Sequence, residues 1–511
     1  MRALPFSFCG LATHLVVPVL VTGGLSAGGA RAQCEIEESQ EVSADDPKGF
    51  MAFGRSISIH GNVTVIGAYF DDDKGTWSGS AYVYRHDGSS WVFEQKLLAS
   101  DGNQFDLFGR TVSVFQNVIL VGAPDKEFHT DFSGAAYVFR RSGGRWREEQ
   151  ILLPSDRDDF DLFGRSVVVR KDRCLIGSPS TESGDDDGAG YVFRYDGGRW
   201  VEEARLSASD GAIGDRLGYT VALRGEIAVL GAFEADDLGE LSGSAYVYRH
   251  SDLGWTEEGK LLASDGAALD HFGWALAVEA GRVAVGAPHA AGGGEGRGAV
   301  YLFESDGGAW TQVARLNGAG GSHERFGGSV TLESHRLLVG TIQEYDVEAP
   351  PQPAYLFQGQ NNGNWTRIAG LTPSDGVTGD DFGFAVALDG DFAAATSPFS
   401  DGALANVGSA YFYELSSLIL DIETSSAEGS AIDFTTCAGR IGGPGALALV
   451  EIMGQPSCSF FAFGVFDLDR LWRFSSVVAP GLSGLRLVFQ SFGLDDSNRG
   501  AISNRVQILF E

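Results

Sequence analysis

The chain has 511 residues, 43% hydrophobic and 21% charged, with 71 glycines against 15 prolines and a formal charge of −31. Glycine at about twice its usual share, without a triplet period, excludes collagen, and so few prolines exclude a proline-rich disordered chain. So negative a surface repels nucleic acid and anionic lipid and favours cations or basic partners.

The first 32 residues concern export. Arg2 precedes an apolar run from Leu11 to Val21 and a small-residue stretch ending Ala30-Arg31-Ala32, the form of a secretory signal cleaved near Ala32. The run is shorter than the roughly 20 residues that span a bilayer. The mature chain is therefore expected to be secreted or at the cell surface, without a membrane span, and as a monomer. Disulfides are permitted there: Cys437 and Cys458, close in sequence, are the expected pair, while Cys34 and Cys174 are expected to stay unpaired.

From Phe53 onward a repeat of about 55 residues takes over. Phe-Gly stands at Phe53, Phe108, Phe163, Phe272, Phe326 and Phe382, with Leu217-Gly218 as the variant. A second marker follows at constant spacing: Gly67-Ala68, Gly122-Ala123, Gly177-Ser178, Gly231-Ala232, Gly286-Ala287, Gly340-Thr341 and Thr396-Ser397. A Tyr comes next, from Tyr82 to Tyr411, and six repeats then carry a Trp, from Trp91 to Trp365.

Each repeat reads as four short β-rich runs separated by turn pairs such as Asp87-Gly88 and Gly143-Gly144. Seven such units argue for an all-β fold, a seven-bladed β-propeller over residues 33–415, with Phe and Tyr filling the layers between blades. The seventh repeat lacks the Trp run. Counting one period of 55 residues back from Trp91 and Leu97 lands on Ile36 and Val42, so residues 34–43 are expected to supply the outer strand of the last blade.

These markers resemble the FG-GAP repeat family, known from the integrin α-subunit propeller and from secreted bacterial repeat proteins. The resemblance covers about residues 34–415 and implies extracellular adhesion or ligand binding, not a reaction. Integrin-type repeats hold calcium in an Asp-rich loop between the two markers. Here that interval holds only a tight hairpin, such as His60-Gly61-Asn62, so those calcium sites do not carry over.

Acids gather elsewhere, in three recurring groups. One stands seven residues before Phe-Gly: Asp46, Asp101, Asp156, Asp210, Asp265 and Asp375. Another stands two residues before it, as Asp106, Asp161, Asp215, Asp270 and Asp380, with Glu324 in the sixth repeat. The third follows the second marker and includes Asp71, Asp73, Asp185 and Asp187. In an up-and-down blade all three fall in connections on one face, and arginines such as Arg85, Arg140 and Arg249 fall on the other. One face is thus expected to be acidic and to meet a protein or glycan ligand. An Asp at a strand corner also closes an Asx-turn on its own backbone, so these columns read equally as structure. Asp71, Asp73, Asp185 and Asp187 are the better candidates for calcium, which the fold does not require.

No catalytic constellation breaks the symmetry. The single Gly-x-Ser-x-Gly, at Gly24 to Gly28, lies in the export signal, and there is no His-Glu-x-x-His or Cys-x-x-Cys. Paired carboxylates keep one alternative open, a secreted carbohydrate-active enzyme of lyase or hydrolase type. Repeat six departs from the pattern with Ala319, Thr341 and Gln352, and marks where a specific site would be sought. Residues 416–511 hold five short β-rich runs and are expected to form a small β-sandwich. The whole reads as an exported, non-enzymatic binding or adhesion scaffold.

Overall fold

The computed structural model describes residues 34–415, apart from short gaps at 128–131, 181–186, 280, 292–296, 306, 319–323, 343–351, 361–362, 378 and 402–404, and six strands within 433–509. Seven sheets, antiparallel but for one parallel strand added to the sixth, follow one another along residues 34–415, and no helix occurs among the described residues. The fold is a seven-bladed β-propeller. In the first blade the strands run Phe53–His60, Val63–Ala68, Ser80–His86 and Trp91–Leu97, in that order across the sheet.

The core lies between blades. Val118–Ala123 is buried along its whole length, which requires cover on both faces of its sheet. Its alternate side chains part company: Ile119 and Val121 join Val83 and Leu97 of the first blade, while Val118 and Leu120 join Phe163, Tyr191 and Trp200 of the third. In five blades the marker Phe meets the Tyr edge to face, as in Phe108–Tyr137 at 5.3 Å and 73°, the offset that the ring quadrupoles favour.

The glycine markers are points of backbone contact. The N–H of Gly109 donates to the Gly122 carbonyl at 3.0 Å, and that of Gly164 to Gly177 at 3.0 Å, which fixes the interval between the two markers. A Cβ at Gly122 would overlap the Gly164 carbonyl of the next blade. A third column, Gly79, Gly134, Gly188, Gly243 and Gly298, bridges in parallel to the marker residue one blade on. Gln352 replaces that glycine in the sixth blade.

Residues 34–43 are not one strand. Gln40–Val42 pairs antiparallel with Ser409–Glu414 as the outer strand of the seventh blade, whereas Cys34–Glu37 runs parallel to Trp365–Thr372 of the sixth. Gln40 clamps the backbone of Trp91 through Nε2 to O at 2.8 Å and N to Oε1 at 2.6 Å, as Gln95 does with Trp146 and Gln150 with Trp200. Two residues earlier, the Glu38 carboxylate accepts from the Ser374 N–H at 2.9 Å, the contact that Glu148 makes with Ser100 and Glu202 with Ser155.

The C-terminal unit, taken by itself, shows three antiparallel strand pairs, the longest Arg486–Leu494 with Gly500–Leu509. Most residues of the expected sandwich, and both Cys437 and Cys458, lie outside the described ones. Cys174 is buried and unpaired, and burial pushes its thiol well up.

Candidate functional site

The acids seven residues before each marker face the blade's tyrosine. Tyr82 donates to Asp46 at 2.6 Å, and Tyr137, Tyr191 and Tyr246 donate to Asp101, Asp156 and Asp210 at 2.8 Å. Burial and then the Asp375 charge push the Tyr411 hydroxyl well up. Basic side chains complete the column: Lys96 on Asp46 at 2.8 Å, Arg205 on Asp156 at 3.2 Å, Lys260 on Asp210 at 3.0 Å and Arg315 on Asp265 at 3.0 Å. The Tyr246 hydroxyl and then Lys260 hold the Asp210 carboxyl below its usual range.

The acids two residues before the marker turn inward on their own loop. Asp106, Asp161, Asp215, Asp270 and Asp380 accept the backbone N–H three residues earlier, at 2.6 to 3.0 Å. Burial pushes the carboxyls of Asp106, Asp215, Asp270 and Asp380 up. In the second blade Asp106, 3% exposed, meets Lys126, 2% exposed, at 2.9 Å. Lys126→Met strips a buried carboxylate of its partner and is expected to cost about 3–5 kcal/mol. Urea unfolding reads that loss, and adding Asp106→Asn should recover part of it.

At Asp71 and Asp73 two ammonium groups stand where a cation would be held. Lys96 Nζ lies 2.5 Å from Asp71 and 2.6 Å from Asp73, and Lys48 reaches both carboxylates. Asp187 packs over Gly211 of the next connection, and Asp185 lies outside the described residues. At the opposite end of the blades the arginines meet glutamates: Arg85 and Arg141 share Glu94, and Arg140 and Arg249 meet Glu149 and Glu258.

Sequence columns of recurring acids draw attention away from a column that varies. The residue after Phe-Gly is Arg55, Arg110, Arg165, Tyr219, Trp274, Gly328 and Phe384 in blades one to seven. All seven line one cavity of about 740 Å³ on the propeller axis, opening among the same connections that carry the acids. Arg325, His289, Tyr69, Phe399 and Asp381 complete its mouth. Arg55 lies 4.2 Å from the Phe384 ring centroid, Arg110 5.2 Å from Tyr69 and Arg165 4.0 Å from Tyr219. Burial, and then Arg55, push the Arg110 guanidinium down to about 10, so it stays charged at neutral pH. The signal was present in the sequence as three arginines at one repeat position.

His271 and His289 meet Nδ1 to Nδ1 at 2.6 Å beside Trp274. Burial, then His271 and Arg325, push His289 down to about 4, against about 6.5 in an unfolded chain. Between those values the unfolded chain takes up a proton that the folded one refuses. Stability from this group is therefore complete above about pH 6.5 and falls as pH drops toward 4. His289→Gln is expected to flatten that slope in urea unfolding at pH 4.5 and 7.

The same face carries exposed apolar side chains. Phe50 (63%), Trp77, Phe105, Ile213, Leu238, Leu269 and Val377 all lie in connections at that end. Trp77 joins Phe70 and Phe105 in an aromatic row, with centroids 4.9 and 5.7 Å apart. The row lines a second cavity with Tyr69 and Arg110.

The chain matches the FG-GAP repeat over residues 36–84, 91–139, 146–193, 200–248, 255–303 and 365–413, more than half its length. It belongs to the FG-GAP repeat family. Each FG-GAP window starts on an outer strand and ends on the third strand of the next blade, so the first takes in Gln40–Val42. The stretch between the fifth and sixth windows holds the departures of the sixth blade, Gly328, Thr341 and Gln352. The crystal structure of the Saccharomyces cerevisiae Sqt1 is similar at 10% identity and a TM-score of 0.39, over 74% of this chain and 99% of that one. No curated protein matches.

Proposed function

We propose that this FG-GAP propeller is an exported, non-enzymatic binding or adhesion scaffold whose ligand, an extracellular protein or glycan, docks on the face formed by the connections before each Phe-Gly marker. The carrying observation is the gathering of Phe50, Trp77, Phe105, Ile213, Leu238, Leu269 and Val377 on that one face. Gathered exposed apolar side chains of this kind mark contact surfaces.

The acidic columns support this role by building the face. Their carboxylates lock tyrosines, lysines and loop amides, which holds the apolar tips in place. A glycan and surface-protein array, probed with and without calcium, tests the reading. Ligands retained by wild type should be lost by Trp77→Ala with Phe105→Ala, and kept by Leu253→Ala, which changes a 90% exposed residue in a turn at the opposite end. Ligands that ignore the first pair and depend on Leu253 would overturn the assignment of the face.

A further inference from the structure

The geometry points to a second feature of that face: the axial cavity is a binding site for an acidic saccharide, its carboxylate held by Arg55, Arg110 and Arg165. This rests on the scaffold reading and narrows its ligand. In a chain of formal charge −31, four arginines and one aspartate line a single cavity. Such a concentration opposes the bulk charge of the molecule and has to be maintained against it.

The three arginines sit at one repeat position on adjacent blades, so their guanidiniums converge on the axis. Among the described residues none of them forms an ion pair; each is packed instead on an aromatic ring. Nε of Arg110 is buried and has no hydrogen-bond partner among the described residues. Asp125 lies near Arg110 and Arg165 and offsets part of their charge, while the arginines depress one another. A guanidinium offers five donors in a planar fork, and the group that matches that fork is a carboxylate.

Size and wall decide what carries the carboxylate. About 740 Å³ is the volume of a small-molecule site and far exceeds a lone inorganic anion. Phe384 and Tyr219 flank the run of arginines in contact with Arg55 and Arg165, Trp274 stands further round the wall, and Gly328 leaves the sixth position without a side chain. A pyranose ring presents flat C–H faces to aromatic planes and hydroxyls at its edge. A uronic acid joins such a ring to a carboxylate in one residue.

The test is calorimetric titration of trigalacturonic acid into the mature protein. Binding is expected in wild type, weakened about 30-fold by Arg110→Met or Arg165→Met, the loss typical of a charged hydrogen-bonded contact. Maltotriose, the neutral counterpart, should bind at least as weakly as those variants, and triglutamate should not compete. Thermal melts guard against a folding defect: Arg110→Met should melt no lower than wild type, and trigalacturonate should raise only the wild-type midpoint.

Absence of trigalacturonate binding, equal binding by the variants, or tighter binding of triglutamate would each overturn the proposal. A lower melting point for unliganded Arg110→Met would do the same, by making the arginine structural. If trigalacturonate fails while array ligands still depend on Trp77 and Phe105, the scaffold reading survives and the cavity assignment does not. Trigalacturonate bound and then cleaved, seen by mass spectrometry, would end the non-enzymatic reading and keep the site.

Discussion

A chain that begins at Ala44 is expected to lose on the order of 5 kcal/mol of stability and to melt on the order of 10 °C below one that begins at Gln33. The deleted residues supply the outer strand of the seventh blade. They also supply the Gln40 clamp on Trp91, the Ser39 N–H donated to Phe412 O at 2.7 Å and the Glu41 carboxylate on Ser409 at 2.7 Å. Their loss uncovers Phe412 and Trp91, whose rings stack at 4.7 Å. Gln40→Ala alone should cost about 2 kcal/mol, because it orphans both a donor and an acceptor of Trp91. Circular dichroism melts of the three chains measure this, and coincident curves would show that the ring is held without its N-terminal strand.

Gly122→Ala is expected to cost about 4 kcal/mol. The added carbon would meet the Gly164 carbonyl and the Thr111 hydroxyl. Neither yields readily, since Gly164 is tied to Gly177 and Thr111 bonds the same Gly164 carbonyl at 3.1 Å. Because φ at Gly122 is not in the left-handed region, the cost is steric alone. Gly88→Ala is the informative contrast: its turn has open space but a φ of 102°, so only the conformational cost of about 1 kcal/mol applies. Urea unfolding of both variants separates the two effects.

Architecture was legible because it is periodic. The interval between Phe108 and Gly122 reports a hydrogen bond, and the alternation in Val118–Ala123 reports two buried faces, so both leave a mark seven times over. The closing strand was legible only in part: spacing alone placed 34–43 opposite the seventh blade, but Cys34–Glu37 pairs in parallel with Trp365–Thr372 of the sixth, a partner remote in sequence.

The site was harder to read for the opposite reason. Asp46, Asp101 and their counterparts recur because they fix tyrosines, whereas Arg55, Arg110 and Arg165 matter because Tyr219, Trp274, Gly328 and Phe384 differ from them at the same position. A search for recurrence finds the first set and passes over the second. Lys96 and Lys48 were invisible as partners of Asp71 for a related reason, since each reaches it from another strand or loop.

The pairing of Gln40–Val42 with Ser409–Glu414 also sets an order of events. Strands within a blade meet across short turns, but Ser39 and Phe412 are 373 residues apart. Contacts so distant in the chain form late, because their loop entropy is lost before any contact rewards it. Six blades can assemble from neighbouring segments while the seventh waits with an unpaired edge and the Trp91 surface bare. During that interval the chain is at its most vulnerable to pairing with another copy. The slowest step of folding is therefore placed at one seam, where a three-residue strand that precedes the first blade meets the last blade of the ring.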